Sequence, residues 1–171
     1  MPTLPLPRTQ HCLVCGRDNP HGLRLRLHVD DQTGVVSTSL AIAPHHGGFN
    51  DVAHGGLIAT VADEAMAWAS AWSAKRFGLC GELVCRFRRP ARVGMTIRVE
   101  ASPEIVRPRL VTTTFRCIDD HGHELATGSA KYVPMNGEHH DVIVGTFLHE
   151  PETIATAKQF VSPVRTTAGE P

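Results

Sequence analysis

The chain has 171 residues, long enough for one domain with a real core and too short for two. Its 17 basic residues balance 17 acidic ones, which excludes the basic excess of a bulk nucleic-acid binder. Five cysteines make an odd count, too sparse for a disulfide scaffold, and fit a reducing cytoplasm.

Residues 1–10 hold three prolines and are expected to be extended or disordered, with no pattern of a secretory signal. HCLVCGRDNPHGL follows as a turn-rich knot containing Cys12, Cys15, Gly16, Asn19, Pro20 and Gly22. Leu23 to Asp30 alternate apolar and polar without a fault, the pattern of a half-exposed strand. A turn at Asp31 to Gly34 leads to a second strand carrying Val36, Thr38, Leu40 and Ile42 on one face. After a polar loop over residues 43–53, HGGLIATVADEAMAWASAWSA reads as a long helix. Ile58, Val61, Ala62, Ala65, Ala69 and Trp72 form one stripe, and most other positions are also apolar. Such a helix belongs in a core. Asp63 and Glu64 at its centre argue against a membrane span. Strands are expected over residues 79–90, 95–106, 109–118 and 123–133, with no helices between them, which implies an antiparallel sheet. Residues 136–171 are expected to form a tail with at most a short helix near 150–160. The organisation is therefore an N-terminal segment over 1–22, a domain over 23–135 and a tail.

Asp63 stands out for chemistry. It lies about two turns into the helix, beside Ala59, Met66, Ala67 and Ser70, so small neighbours leave room next to it. Burying a carboxylate costs several kcal/mol unless it is paired, hydrogen-bonded or protonated. A carboxylate beside a cavity serves as a general base or nucleophile, or accepts structural hydrogen bonds. Glu64 points about 100° away, toward Leu57, Trp68 and Ala71, and is expected to pair with Arg86 or Arg88 or, alternatively, to be the chemical carboxylate itself. His54, Gly55 and Gly56 mark the helix start, where unpaired amides can receive a carbonyl oxygen that becomes negative; an ordinary tight N-terminus is the other explanation. Cys12 and Cys15 lack a second cysteine pair. With His11 or His21 a zinc site is conceivable, but the pair is expected to be a structural turn with free thiols and no metal. His45-His46 and His139-His140 are expected to be solvated. Arg86, Arg88, Arg89 and Arg92 form a basic streak that a phosphate-bearing substrate could use.

HGG, the carboxylate at Asp63, FRRPARVG after the helix and the opening CLVCGRDNPHGLRL together resemble the hotdog-fold thioesterases, especially the phenylacetate-pathway branch, over about residues 11–135. The resemblance implies an α+β hotdog domain, a long central helix wrapped by a curved antiparallel sheet of five to six strands. It also implies a homodimer or dimer of dimers with paired sites at the interface. By that resemblance, Asp63 activates water or attacks an acyl-coenzyme A thioester, the amide of Gly55 or Gly56 polarises its carbonyl, and His54 and Asn50 shape the substrate loop. Cys80 stands where the family often has a Ser or Thr, and Glu64, Arg88 and Arg89 are further substrate-binding expectations. No cofactor is implied. The alternatives are a hotdog protein that binds or senses acyl-coenzyme A without turnover, a hotdog dehydratase, and a small zinc-stabilised domain.

Overall fold

A computed structural model describes residues 3–161. In chain order, β1 (Thr3–Pro5), β2 (His28–Asp30) and β3 (Val36–Ala41) come first, followed by a small hairpin of β4 (Gly47–Phe49) and β5 (Val52–Ala53). The central helix α1 spans Gly55–Ala74. Then come β6 (Gly78–Phe87), β7 (Thr96–Arg107), β8 (Leu110–Ile118) and β9 (Glu124–Pro134), and after them the short helices α2 (Gly137–Val144) and α3 (Ile154–Ala157). Seven strands form one antiparallel sheet in the order β1-β2-β3-β7-β8-β9-β6. The sheet has more strands than expected because the proline-rich start adds β1 against β2. It packs on α1 through β7, β8, β6, β9 and β3.

The helix stripe behaves as its period requires: Ile58, Val61, Ala62, Ala65, Ala69 and Trp72 are all buried in one core with Val99, Ala101, Val111 and Phe115. Each fully buried Val, Ile or Phe contributes about 1.5–3 kcal/mol. The helix ends where Lys75 turns left-handed at φ 54°, and its amide returns to the carbonyl of Ala71. The Lys75 ammonium lies 4.0 Å from the centre of the Trp72 ring, which anchors this exposed end.

Two segments depart from expectation. Within Leu23 to Asp30 only His28–Asp30 joins the sheet. Leu25 and Leu27 are nevertheless buried, so the alternation reported a buried face rather than a strand ladder. Residues 136–160, expected to be tail, fold back on the domain instead. Phe147 and Phe160 are buried against Trp68 and Phe77 in a cluster of ring contacts, with centroids 5.1–6.2 Å apart. His140 is buried too, against the expectation of solvent: its Nδ1 accepts from the Phe77 amide at 3.1 Å, and its Nε2 lies 2.7 Å from the Phe160 carbonyl. The last ten residues of the expected tail, 162–171, lie outside the described residues.

Candidate active site

The start of α1 is assembled by its preceding loop. Phe49 and Val52 pair across the two-residue turn Asn50-Asp51, whose φ angles of 50° and 59° give the left-handed geometry that suits right-twisted hairpins. The loop is held at both ends, because the Ala53 amide donates to Ala91 and the His54 amide donates to His46. His54 is the N-cap, and its Nδ1 accepts from the Gly56 amide at 3.0 Å. The His54 carbonyl takes the Leu57 amide at 2.9 Å. The Gly55 amide has no partner among the described residues, so of the two expected donors it is the one available. A Cβ on Gly55 would sit 3.0 Å from the Phe87 ring, so glycine permits the close approach of that ring. Beside it lies a cleft of about 420 Å³ lined by Phe49, Val52, Ile58, Phe87, Arg88 and Arg89, among others.

Asp63 faces a different neighbourhood. The Tyr132 hydroxyl lies 2.8 Å from Asp63 Oδ1, although the two are 69 positions apart in sequence. Tyr132 is on β9, directly opposite Cys80 on β6 in the strand register. The ring of Tyr132 is buried, and that desolvation together with the Asp63 charge pushes its hydroxyl well above the ordinary phenol range. It therefore stays a neutral donor to the carboxylate. The Cys80 thiol is likewise raised, first by burial and then by the charge and hydrogen bonding of Asp63. A helix acid is thus held by a fixed phenol on one side, beside a thiol on the outermost strand.

This arrangement has relatives. Residues 50–126 match the model of the thioesterase superfamily. The fold is the hotdog fold of that superfamily. Among solved structures, the thioesterase superfamily protein RHA08564 superposes with a TM-score of 0.67 at 22% identity, over 72% of this chain and 63% of that one. This chain therefore spans less than two thirds of that protein's length. The E. coli PaaI protein of the phenylacetic acid degradation operon gives a TM-score of 0.58 at 17% identity, over 61% of this chain and 75% of its own. The smu.793 protein of Streptococcus mutans, bound to acetyl CoA, gives 0.58 at 14% identity over 60% and 82%. At these identities the likeness is one of fold. No curated protein matches the sequence.

The other expected site residues fall in several places on the hotdog frame. Arg88 and Arg89 line the cleft, and among the described residues neither forms an ion pair. Asn50 sits at the hairpin tip, where it shapes the loop, and no hydrogen bond links its side chain to the helix start among the described residues. Phe49 lines the cleft and is 80% exposed. Trp68 and Trp72 do not line it; both are buried in the aromatic core. Glu64 pairs with neither Arg86 nor Arg88. It accepts from Trp68 Nε1 at 3.2 Å and faces Cys12 and Cys15 of the N-terminal turn. Burial and then the charge of Cys12 push its carboxyl up to about 7. Hydrogen bonding from Cys15, reinforced by backbone amides, holds the Cys12 thiol below the ordinary range, and Cys15 is correspondingly raised. Sequence reasoning missed Tyr132, a strand-end residue with no local signal, and Phe87, whose place over Gly55 depends on how β6 crosses the helix start.

Among the described residues no helix is long and apolar enough to cross a membrane.

Proposed function

We propose that the chain hydrolyses an acyl-coenzyme A thioester, with Asp63 as general base or nucleophile and the Gly55 amide as the donor to the thioester carbonyl. The observation that carries this is the Asp63 carboxylate, held by Tyr132 through Oδ1 beside the Cys80 thiol; in this reading Oδ2 serves water or the reacting carbon. In the general-base form, Asp63 takes a proton from water as the oxygen attacks the carbonyl carbon, the C–S bond breaks, and coenzyme A leaves as thiolate. In the nucleophilic form, Asp63 first becomes an acyl anhydride, which water then hydrolyses. Both need a hydrogen-bond donor where negative charge develops on the carbonyl oxygen.

One protomer does not supply both groups to the same carbonyl. Asp63 lies eight helical steps beyond Gly55, about 12 Å along the axis, whereas a reacting group must lie about 3 Å from each. We infer a site shared between two protomers, with the Gly55 amide of one meeting Asp63 of the other. β6 is the outermost strand of the sheet, so its far edge is free to pair with a second copy. Leu79, Leu83, Phe87 and Val133 are exposed there, apolar surface that a homodimer, alone or in a dimer of dimers, would cover. Arg88 and Arg89, at the cleft mouth, suit the phosphates of coenzyme A. The acetyl CoA bound to the smu.793 protein supports the same ligand class on this fold. The odd and sparse count of five cysteines in the sequence suits a cytoplasmic setting.

The test is thiol release from short, medium, long and aryl acyl-coenzyme A thioesters, comparing the natural chain with Asp63→Asn. Turnover that collapses in the folded variant supports hydrolysis by Asp63. Saturable binding of a thioester with no turnover in either protein would replace it with a sensor or carrier.

A further inference from the structure

We propose that Cys12, Cys15 and Glu64 form a zinc site that ties the N-terminal turn to the central helix. Their ligand atoms, two sulfurs and a carboxylate oxygen, all lie within 4.8 Å of one another. A tetrahedral zinc with bonds of about 2.3 Å to sulfur and 2.1 Å to oxygen needs about 3.8 Å between sulfurs and 3.6 Å from sulfur to oxygen. The observed upper bound of 4.8 Å is within about 1 Å of that geometry. Two thiolates and a carboxylate are a donor set that favours zinc over magnesium or calcium, which take oxygen ligands.

The turn is closed by its own hydrogen bonds. The Gly16 amide closes it on the Cys12 carbonyl at 3.0 Å, and a Cβ on Gly16 would lie 2.2 Å from that carbonyl oxygen, so another residue there would force the turn open. Asn19 Nδ2 donates to the His11 carbonyl at 3.2 Å, and the amides of Leu23 and Leu25 donate to Leu13 and Val14, both at 2.8 Å. The Val14 amide points at Cys12 Sγ, 3.3 Å away, as an amide does when it supports a thiolate ligand. Thr9 Oγ1 lies 4.0 Å from Cys15 Sγ.

Glu64 supplies the independent observation. It is a carboxylate on the most buried helix of the fold, and among the described residues no cation pairs with it. Its hydrogen-bond donors are the neutral Trp68 Nε1 and the Cys15 thiol, so the carboxylate faces two sulfurs. A dication between them answers the charge of all three groups, and Trp68 then orients the ligand carboxylate from behind. Cys12 also lines a cleft with His11 and His149, the side from which water or an imidazole would complete the coordination.

Because Glu64 adjoins Asp63, the zinc fixes the helix turn that carries the proposed acid. The site rests on ligand geometry and stands or falls separately from hydrolysis. The experiment is elemental analysis of the full chain purified under reductant, followed by cobalt substitution and zinc competition against a chromophoric chelator. One zinc per chain is expected, with a thiolate-to-cobalt charge-transfer band, both lost in Cys12→Ser and Cys15→Ser. Glu64→Gln should weaken zinc at least about tenfold. In a separate readout, zinc should raise the melting temperature of the natural chain and not that of Cys15→Ser. No zinc uptake and no cobalt band would overturn the proposal. So would equal zinc affinity in Glu64→Gln, or a chain isolated without reductant that holds a Cys12–Cys15 disulfide and takes up no metal after reduction.

Discussion

The hydroxyl of Tyr132 lies 2.8 Å from Asp63 Oδ1 and 3.0 Å from the same residue's carbonyl oxygen, so one buried phenol fixes both the side chain and the backbone of the helix acid. Tyr132 is 1% exposed, and its hydroxyl stays protonated because burial comes first among the causes that raise it.

Tyr132→Phe keeps the ring and removes the hydroxyl. A hydrogen bond to a charged acceptor is worth about 1.5–3 kcal/mol, so thioester turnover should fall roughly 10- to 100-fold. The melting temperature should fall by roughly 3–12 °C for the same lost bond, with no cavity added because the ring still fills its place in the core. The check is kcat alongside thermal unfolding. Unchanged kcat would remove Tyr132 from the positioning of Asp63.

Phe160, 1% exposed, makes ring contacts with Trp68, Trp72, Phe77 and Phe147. Phe160→Ala should therefore destabilise the whole domain by about 3–5 kcal/mol, the cost of emptying a buried aromatic site. Denaturant unfolding measures it. A loss below about 1 kcal/mol would mean that the C-terminal segment does not belong to the core.

Arg8 and Glu150 form an ion pair buried on both sides. The Arg8 guanidinium holds the Glu150 carboxyl below its ordinary value of 4.5, ahead of smaller contributions from Arg26 and Arg17. The folded chain therefore binds that proton more weakly than the unfolded chain. The stabilisation is full above the ordinary value and fades as pH falls through the lower folded value. Arg8→Leu leaves the Glu150 carboxylate with only the exposed Arg26 and Arg17 guanidinium groups, 3.5 Å and 4.0 Å away, and should cost about 1–3 kcal/mol at pH 7, less than a wholly unpaired buried charge. The cost should shrink on acidification, as Glu150 becomes neutral in both proteins. Unfolding free energies at several pH values check this, and a cost independent of pH would contradict it.

Local periodicity made part of this molecule legible. The stripe from Ile58 to Trp72 and the polar break at Asp63 gave the central helix and its acid. HGG gave the helix start, and the run of strand patterns over residues 79–133 with no helix between them gave the antiparallel sheet. What stayed hidden joins distant positions. Tyr132 meets Asp63 across 69 residues. Phe160 reaches Trp68 from a segment whose polar composition resembles a tail, because its few aromatics, not its average, decide where it packs. Glu64 faces Cys12 and Cys15 because the N-terminal turn lies along α1, and helical phase gave only its direction. The Leu23 to Leu27 alternation was right about burial and wrong about pairing, since a buried face needs no ladder partner.

Sharing of the site between protomers has a direct test. Gly55→Pro removes the amide at the first helical position, where proline is tolerated after the extended His54. Gly55→Ala, which makes the same Cβ approach to Phe87 but keeps the amide, is its steric control. Asp63→Asn removes the acid. Gly55→Pro and Asp63→Asn alone should each lose at least about a hundredfold in kcat, as expected for an oxyanion donor. When the two are unfolded together and refolded at equal amounts, half of the dimers pair one of each. One of their two sites then has both groups intact, so activity should return to about a quarter of the natural level in a two-fold dimer. Activity that stays at the residual level of the separate variants, in mixtures shown to contain the mixed dimer, would contradict a site built from Gly55 of one protomer and Asp63 of the other.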